Sequence, residues 1–202
     1  MGLLDNECAL LDPERDKIII KEWIDANYVV YGRLDISDDF IVDCTGEVTV
    51  KNNNITSFTN NLFKWGSVLG FYCNGCSNLT SLKGAPTEVK EDVCCSFCDH
   101  LESLEGAPKR CGWFDCNTCA SLTDLIGAPN KIDTSFICDH CMDLKSLKGG
   151  PEWVGGDFVC TYCENLKTLE GAPKFIRGNI CCNNCKNLKI VPTVFRNYKV
   201  LY

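Results

Sequence analysis

From residue 67 onward the apolar positions repeat as a block. In each block a large apolar residue stands two places ahead of a cysteine: Phe71 and Cys73, Val93 and Cys95, Phe114 and Cys116, Phe136 and Cys138, Phe158 and Cys160, Ile180 and Cys182. Spacing of two puts both side chains on the same face of a short strand. A second cysteine follows three residues after the first, at Cys76, Cys98, Cys119, Cys141, Cys163 and Cys185. Then come two leucines three apart: Leu79 and Leu82, Leu101 and Leu104, Leu122 and Leu125, Leu144 and Leu147, Leu166 and Leu169. Gly-Ala-Pro closes the block at Gly84, Gly106, Gly127 and Gly171, and Gly149-Gly150-Pro151 fills the remaining slot, so the prolines are spaced 22, 21, 22 and 22. Glycine supplies a permissive turn there, and proline blocks continued strand pairing. A variable link follows, often with one apolar residue (Val89, Ile132, Val154, Ile176).

A block this short cannot bury its own apolar face. Stacked blocks can, as rungs of a solenoid with strands about 4.8 Å apart in a parallel sheet. The predicted fold is a mainly β repeat solenoid with rungs of about 22 residues and an N-terminal α/β cap. The expected organisation is a cap over residues 1–41, a degenerate first rung over 42–66, Cys-x-x-Cys rungs over 67–192, and a C-terminal cap over 193–202. In the N-terminal cap, Asp12 reads as an N-cap and Pro13 as the first helical residue, with a helix to about Ala26 whose apolar side is Ile18, Ile19, Trp23 and Ile24. Tyr28 to Ile36 and Phe40 to Val42 flank Ser37-Asp38-Asp39 as a hairpin. Gly46 to Phe58 reads as the degenerate rung, with Asn53 in the second cysteine slot. Ile190-Val191-Pro192 replaces the closing turn at the other end, and Phe195 to Tyr202 is expected to cover the last rung.

The block apolar-x-Cys-x-x-Cys-x-x-Leu-x-x-Leu-x-Gly-Ala-Pro resembles the leucine-rich repeat. Its Leu-x-Ser-Leu-x-Gly-Ala-Pro form is similar to short repeats in proteins of tailed bacteriophages and other large DNA viruses. The resemblance covers roughly residues 42 to 192 and implies a leucine-rich-repeat-like parallel sheet. It also implies a binding surface on the outward residues of that sheet, and a viral factor acting on a host or viral protein in the host cytoplasm.

The chain has 17 cysteines among 202 residues, which opens three readings. Zinc fits the string C-x2-C-x15–20-C-x2-C, with Cys73, Cys76, Cys95, Cys98, Cys116, Cys119, Cys138, Cys141, Cys160, Cys163, Cys182 and Cys185 as alternative ligands. Zinc, however, needs four ligands about 2.3 Å from one point, and the strand half of Cys-x-x-Cys spreads its ends apart. Disulfides are opposed by the odd count and by a start with no basic or apolar signal region. The favoured reading is packing: the twelve repeat cysteines as small buried hydrophobes, with no cofactor. Cys94 and Cys181 fall on outward strand positions, Cys111 in a link, Cys44 in the cap and Cys8 near the terminus. These five are the expected accessible thiols.

Function falls to the outward residues. Tyr72, Phe97, Trp113, Asp115, Ile137, Asp139, Val159 and Tyr162 form the candidate binding surface, too apolar as a group for an idle solvated face. The chain is expected to be a non-enzymatic protein-binding scaffold in the cytoplasm; a zinc-binding cysteine ladder and a self-assembling homo-oligomer are the alternatives. A formal net charge of −7 argues against a nucleic-acid or anionic-membrane partner, and no apolar run approaches a membrane span. Only His100 and His140 are present. A Cys-His nucleophile using Cys119 or Cys141 rests on no motif, and no phosphate-binding loop or hydrolase signature occurs.

Overall fold

The computed structural model describes residues 12–51, 53–189 and 200–201. The chain enters through α1 (Pro13–Asn27), where the Asp12 carboxylate accepts hydrogen bonds from the backbone of Glu14 and Arg15. The buried face of this helix is Asp16, Ile20 and Ile24, with Trp23 beside it, whereas Ile18 and Ile19 are exposed. The expected apolar side was therefore only half right. Residues four apart share a helix face, and Ile18 lies about 200° around from Ile20.

The expected strand from Tyr28 divides. Its first half, β1 (Tyr28–Tyr31), leaves β2 (Leu34–Ile36) to form the hairpin with β3 (Ile41–Cys44). β1 instead pairs antiparallel with β4 (Glu47–Val50), Tyr28 opposite Val50. β5 (Lys64–Trp65) runs parallel to β3. Trp23, Tyr28, Phe63 and Trp65 pack as an aromatic cluster under the helix, with ring centroids 5.2 to 5.9 Å apart.

From β4 the chain winds as a solenoid. The long sheet continues through β7 (Phe71–Tyr72), β9 (Val93–Cys94), β11 (Phe114–Asp115), β13 (Phe136–Ile137), β15 (Phe158–Val159) and β17 (Ile180–Cys181), all parallel. A last strand, β18 (Val200–Leu201), pairs parallel with β17; the remainder of the expected terminal cap, and Cys8, lie outside the described residues. Pairing is residue on residue, so each slot becomes a column. Val48, Phe71, Val93, Phe114, Phe136, Phe158 and Ile180 form one column, each at most 1% exposed. Phe114, Phe136 and Phe158 stack in parallel at 5.4 and 5.3 Å. Each such ring contributes about 2–3 kcal/mol by burial. The two leucine columns are equally sealed.

The links form a second set of strands. β6 (Ser67–Val68) pairs with β8 (Glu88–Val89), and β10 (Arg110–Cys111), β12 (Lys131–Ile132), β14 (Trp153–Val154) and β16 (Phe175–Ile176) make a four-stranded parallel sheet. Val68, Val89, Cys111, Ile132, Val154 and Ile176 point from it into the core. Each rung thus has two strands around one core, joined by the Leu-x-Gly-Ala turn, in which Ala85, Ala107, Ala128, Gly150 and Ala172 donate to the leucine carbonyl three residues earlier. The turn glycine is obligatory. Gly171 has φ +89, and a Cβ there would stand 2.5 Å from the Leu147 carbonyl carbon of the rung below.

The second sheet is interrupted between β8 and β10. The link from Pro108 to Phe114 is one residue shorter than that from Pro86 to Val93. Where Asp133, Gly155 and Arg177 donate to the carbonyls of Cys111, Ile132 and Val154, the corresponding Gly112 donates to Glu91. A cleft of about 740 Å³ opens there beside Glu88, Lys90, Lys109 and Arg110.

Candidate functional site: the cysteine ladder and the outward turn row

Each Cys-x-x-Cys is a tight turn that ends its strand. Cys76 N–H donates back to the Cys73 carbonyl at 3.4 Å, and the third residue of every turn is left-handed: Gly75 (φ 71), Phe97 (59), Thr118 (56), His140 (55), Tyr162 (55) and Asn184 (59). The backbone N–H of that residue donates across to the next rung, as Phe97 does to Asn117 and His140 to Thr161. The two cysteines do different work. The first fills a column that Val50 fills in the cap rung, so its slot asks only for a small apolar side chain. The second donates its thiol hydrogen to the carbonyl of the first cysteine one rung back: Cys98 to Cys73 at 3.2 Å, Cys119 to Cys95 at 3.2, Cys141 to Cys116 at 3.3, Cys163 to Cys138 at 3.1 and Cys185 to Cys160 at 3.0. These carbonyls are buried and need donors. Cysteine supplies one while filling space as a hydrophobe.

This direction of the sulfurs bears on zinc. They are spread along the ladder toward carbonyls, and among the described residues no group of three or more His, Cys, Asp or Glu converges as a metal site. No described cysteine is joined in a disulfide. Burial pushes the thiols of Cys76, Cys111 and Cys182 up to about 12.

Three of the five expected accessible thiols are not accessible. Cys111 is the inward residue of β10 and takes the slot held elsewhere by valine or isoleucine. Cys44 packs inside the cap. Cys94 faces outward yet is only 5% exposed, because the outward position between Tyr72 and Asp115 is closed by its neighbours. Its sulfur lies 2.7 Å from Ser96 Oγ, and burial raises its thiol. Cys181 alone of the four described is partly open.

Of the eight candidate surface residues, Phe97 and Tyr162 are the open ones, 57% and 46% exposed. Tyr72, Trp113, Ile137, Asp139 and Val159 are half-buried. Asp115 is buried, its carboxylate taken by the Asn117 backbone and amide, so it belongs to the support of the sheet rather than to its surface. Asp139 likewise accepts the Thr161 N–H at 2.7 Å. His140, absent from the expected set, stacks on Tyr162 with centroids 4.6 Å apart; the third position of every turn, once the rungs are aligned, was the signal for it. Cys119 and Cys141 direct their sulfurs at core carbonyls, while the His140 ring lies on the surface row. On the second sheet, Lys131 sits 4.7 Å over Trp153, which stacks on Phe175 at 5.5 Å. This row was also missed.

Comparison with protein-family models, with curated proteins and with solved structures gave no match.

Proposed function

We propose that the chain is a non-enzymatic protein-binding scaffold, and that its contact surface is the row of turn residues Phe97, Thr118, His140 and Tyr162 together with the flanking Trp113, Ile137 and Val159. One observation carries this reading. A left-handed backbone position favours glycine, and a bulky side chain there costs on the order of 1 kcal/mol. Only Gly75 takes that option; the same position in later rungs carries Phe97, Thr118, His140, Tyr162 and Asn184, and three of these, Phe97, His140 and Tyr162, are exposed aromatic rings. Their folded-state cost is offset by nothing in the core, which supports a role outside it. His140 and Tyr162, stacked from adjacent rungs with ring centroids 4.6 Å apart, offer rigid, amphipathic contact area of the kind found at the centres of protein interfaces. The resemblance to viral short-repeat proteins adds a setting to the proposal, namely a viral factor acting on a host or viral protein in the host cytoplasm.

The test is the triple variant Phe97→Gly, His140→Gly, Tyr162→Gly. Its melting temperature should equal or exceed that of the parent, since each change suits the backbone, while partner retention on the immobilised full chain is lost. Retention unchanged in the triple variant removes the row from consideration. Light scattering on the free chain separates the self-assembly alternative: a multimer that the same substitutions dissolve would make the partner a second copy.

A further inference from the structure

Ion pairs tie neighbouring rungs of the second sheet: Arg110 meets Asp133 at 2.7 Å, and Lys174 meets Glu152 at 2.7 Å. At the interruption this pairing fails. Counted from the closing prolines, Glu88 and Arg110 fall in one column, but β8 and β10 are not paired, and no ion pair joins the two side chains among the described residues. Lys109 has only Thr87 and Asn130 as column neighbours, and Lys90 has Gly112 above it. Among the described residues neither lysine forms an ion pair, and both are exposed. Lys90, Lys109 and Arg110 line the cleft of about 740 Å³ that the short link opens. We propose that this cleft is a binding site for a small organic anion carrying two or more negative charges on oxygen, of the phosphate-ester or polycarboxylate class, held by Lys90, Lys109 and Arg110.

Charge and size select this class. The cleft is lined by three cations and by two acids, Glu88 and Asp133. Asp133 is already engaged: its Oδ2 accepts from Arg110 Nε at 2.9 Å and from Nη2 at 2.7 Å. That grip fixes the guanidinium by one edge and does not use Nη1, which can donate to a ligand oxygen beside the two mobile ammonium groups. In an open cleft each such contact is weakened by water and salt, so a single negative charge gains little and a polyanion meeting all three cations gains most. The volume suits a small molecule, and Val89 and Ala107 supply an apolar part of the wall for its body. A long polyanion such as nucleic acid would extend onto the rest of a chain whose formal net charge is −7, which repels it. Glu88 is the charge that opposes the ligand. The site lies on the second sheet, away from the row of turn residues, so the protein-binding reading neither supports it nor falls with it.

The experiment titrates the reduced full-length chain, labelled with nitrogen-15, with pyrophosphate and separately with citrate at low ionic strength, and follows backbone amide shifts. At least one probe should saturate a single site with a Kd of about 1 mM or tighter, with the largest shifts at Lys90, Lys109 and Arg110, and the tighter probe assigns the ligand to the phosphate or the carboxylate class. The double variant Lys90→Gln, Lys109→Gln should weaken binding at least tenfold. Glu88→Gln should tighten it. Lys174→Gln, which removes an exposed lysine already paired with Glu152 on the same sheet, should leave it unchanged. Failure of both probes to saturate, largest shifts away from the cleft, or equal loss in Lys174→Gln and in the double variant overturns the proposal; the first two are read on the unmodified chain and need no variant.

Discussion

Replacing Cys119 by alanine isolates what the second-slot cysteine contributes. Cys119 is 0% exposed and donates to the Cys95 carbonyl at 3.2 Å. Alanine removes two things. Burial of the sulfur is lost, worth about 1 kcal/mol if it counts as one buried methylene. The buried carbonyl also loses its donor, at about 1–3 kcal/mol. The sum is about 2–4 kcal/mol. Cys116→Ala is the matched comparison. Its sulfur is equally buried, and the Ile137 carbonyl it approaches at 3.5 Å keeps the Cys116 N–H at 2.9 Å. That change should cost only the burial part, about 1 kcal/mol. Cys119→Ser retains a donor and should recover part of the loss. Urea unfolding under reducing conditions reads all three. With a slope of roughly 2 kcal/mol per molar, Cys119→Ala moves the midpoint down by about 1–2 M. Equal midpoints for Cys119→Ala and Cys116→Ala, or for the alanine and serine variants of Cys119, would refute the ladder as a hydrogen-bonding device.

Gly171→Ala should cost more than 2 kcal/mol (an order-of-magnitude expectation from strain at positive φ plus collision with the Leu147 backbone), read as a lowered melting temperature; a change within error removes the turn argument. Phe97→Gly alone should leave stability unchanged or raise it by up to about 1 kcal/mol, and a clear loss in urea unfolding would show that the ring packs rather than waits for a partner. Alkaline pH should unfold the chain steeply. Cys76, Cys111 and Cys182 ionise at about 12 when folded but near 8.5 when unfolded. Above about pH 9 the unfolded chain therefore holds fewer protons, and stability falls as pH rises, by up to about 1.4 kcal/mol per thiol per pH unit until about pH 12. A melting temperature flat from pH 8 to pH 11 would contradict their burial.

The long sheet was legible because its inward residues recur in pairs at fixed spacing, Phe114 with Cys116 and Phe136 with Cys138, and parallel stacking turns such a pair into two columns. The second sheet was not. Each of its strands is two residues long and sends one side chain inward, as Val89 and Ile132 do, so no alternation exists to be read. The helix face was ambiguous for a similar reason. Three consecutive isoleucines, Ile18 to Ile20, leave the choice to the cap's aromatic cluster, which only the fold assembles. Whether an outward residue is open depends on its neighbours one rung away. That is why Cys94 and Asp115 are shut in while Phe97 and Tyr162 are open. The division of labour between the two cysteines was half visible in the degenerate rung, where Val50 takes the first slot and Asn53, a side-chain donor, the second. Why that mattered required the carbonyls to be located.

The short link at Cys111 also bears on how such a chain can grow or shrink over generations. The span between Pro108 and Phe114 is one residue shorter than its counterparts, and the effect is confined to one interrupted strand pair and a cleft. From each first cysteine to the following proline, every complete rung keeps the same length. In that stretch the thiol of one rung must meet the carbonyl of the last, so a slip by one residue would uncouple both neighbours at once. Whole rungs, by contrast, present the same donor above and the same acceptor below. Copying or deleting a full unit joins equivalent ends, which makes the number of rungs, and with it the length of the outward row, the quantity most easily altered by duplication.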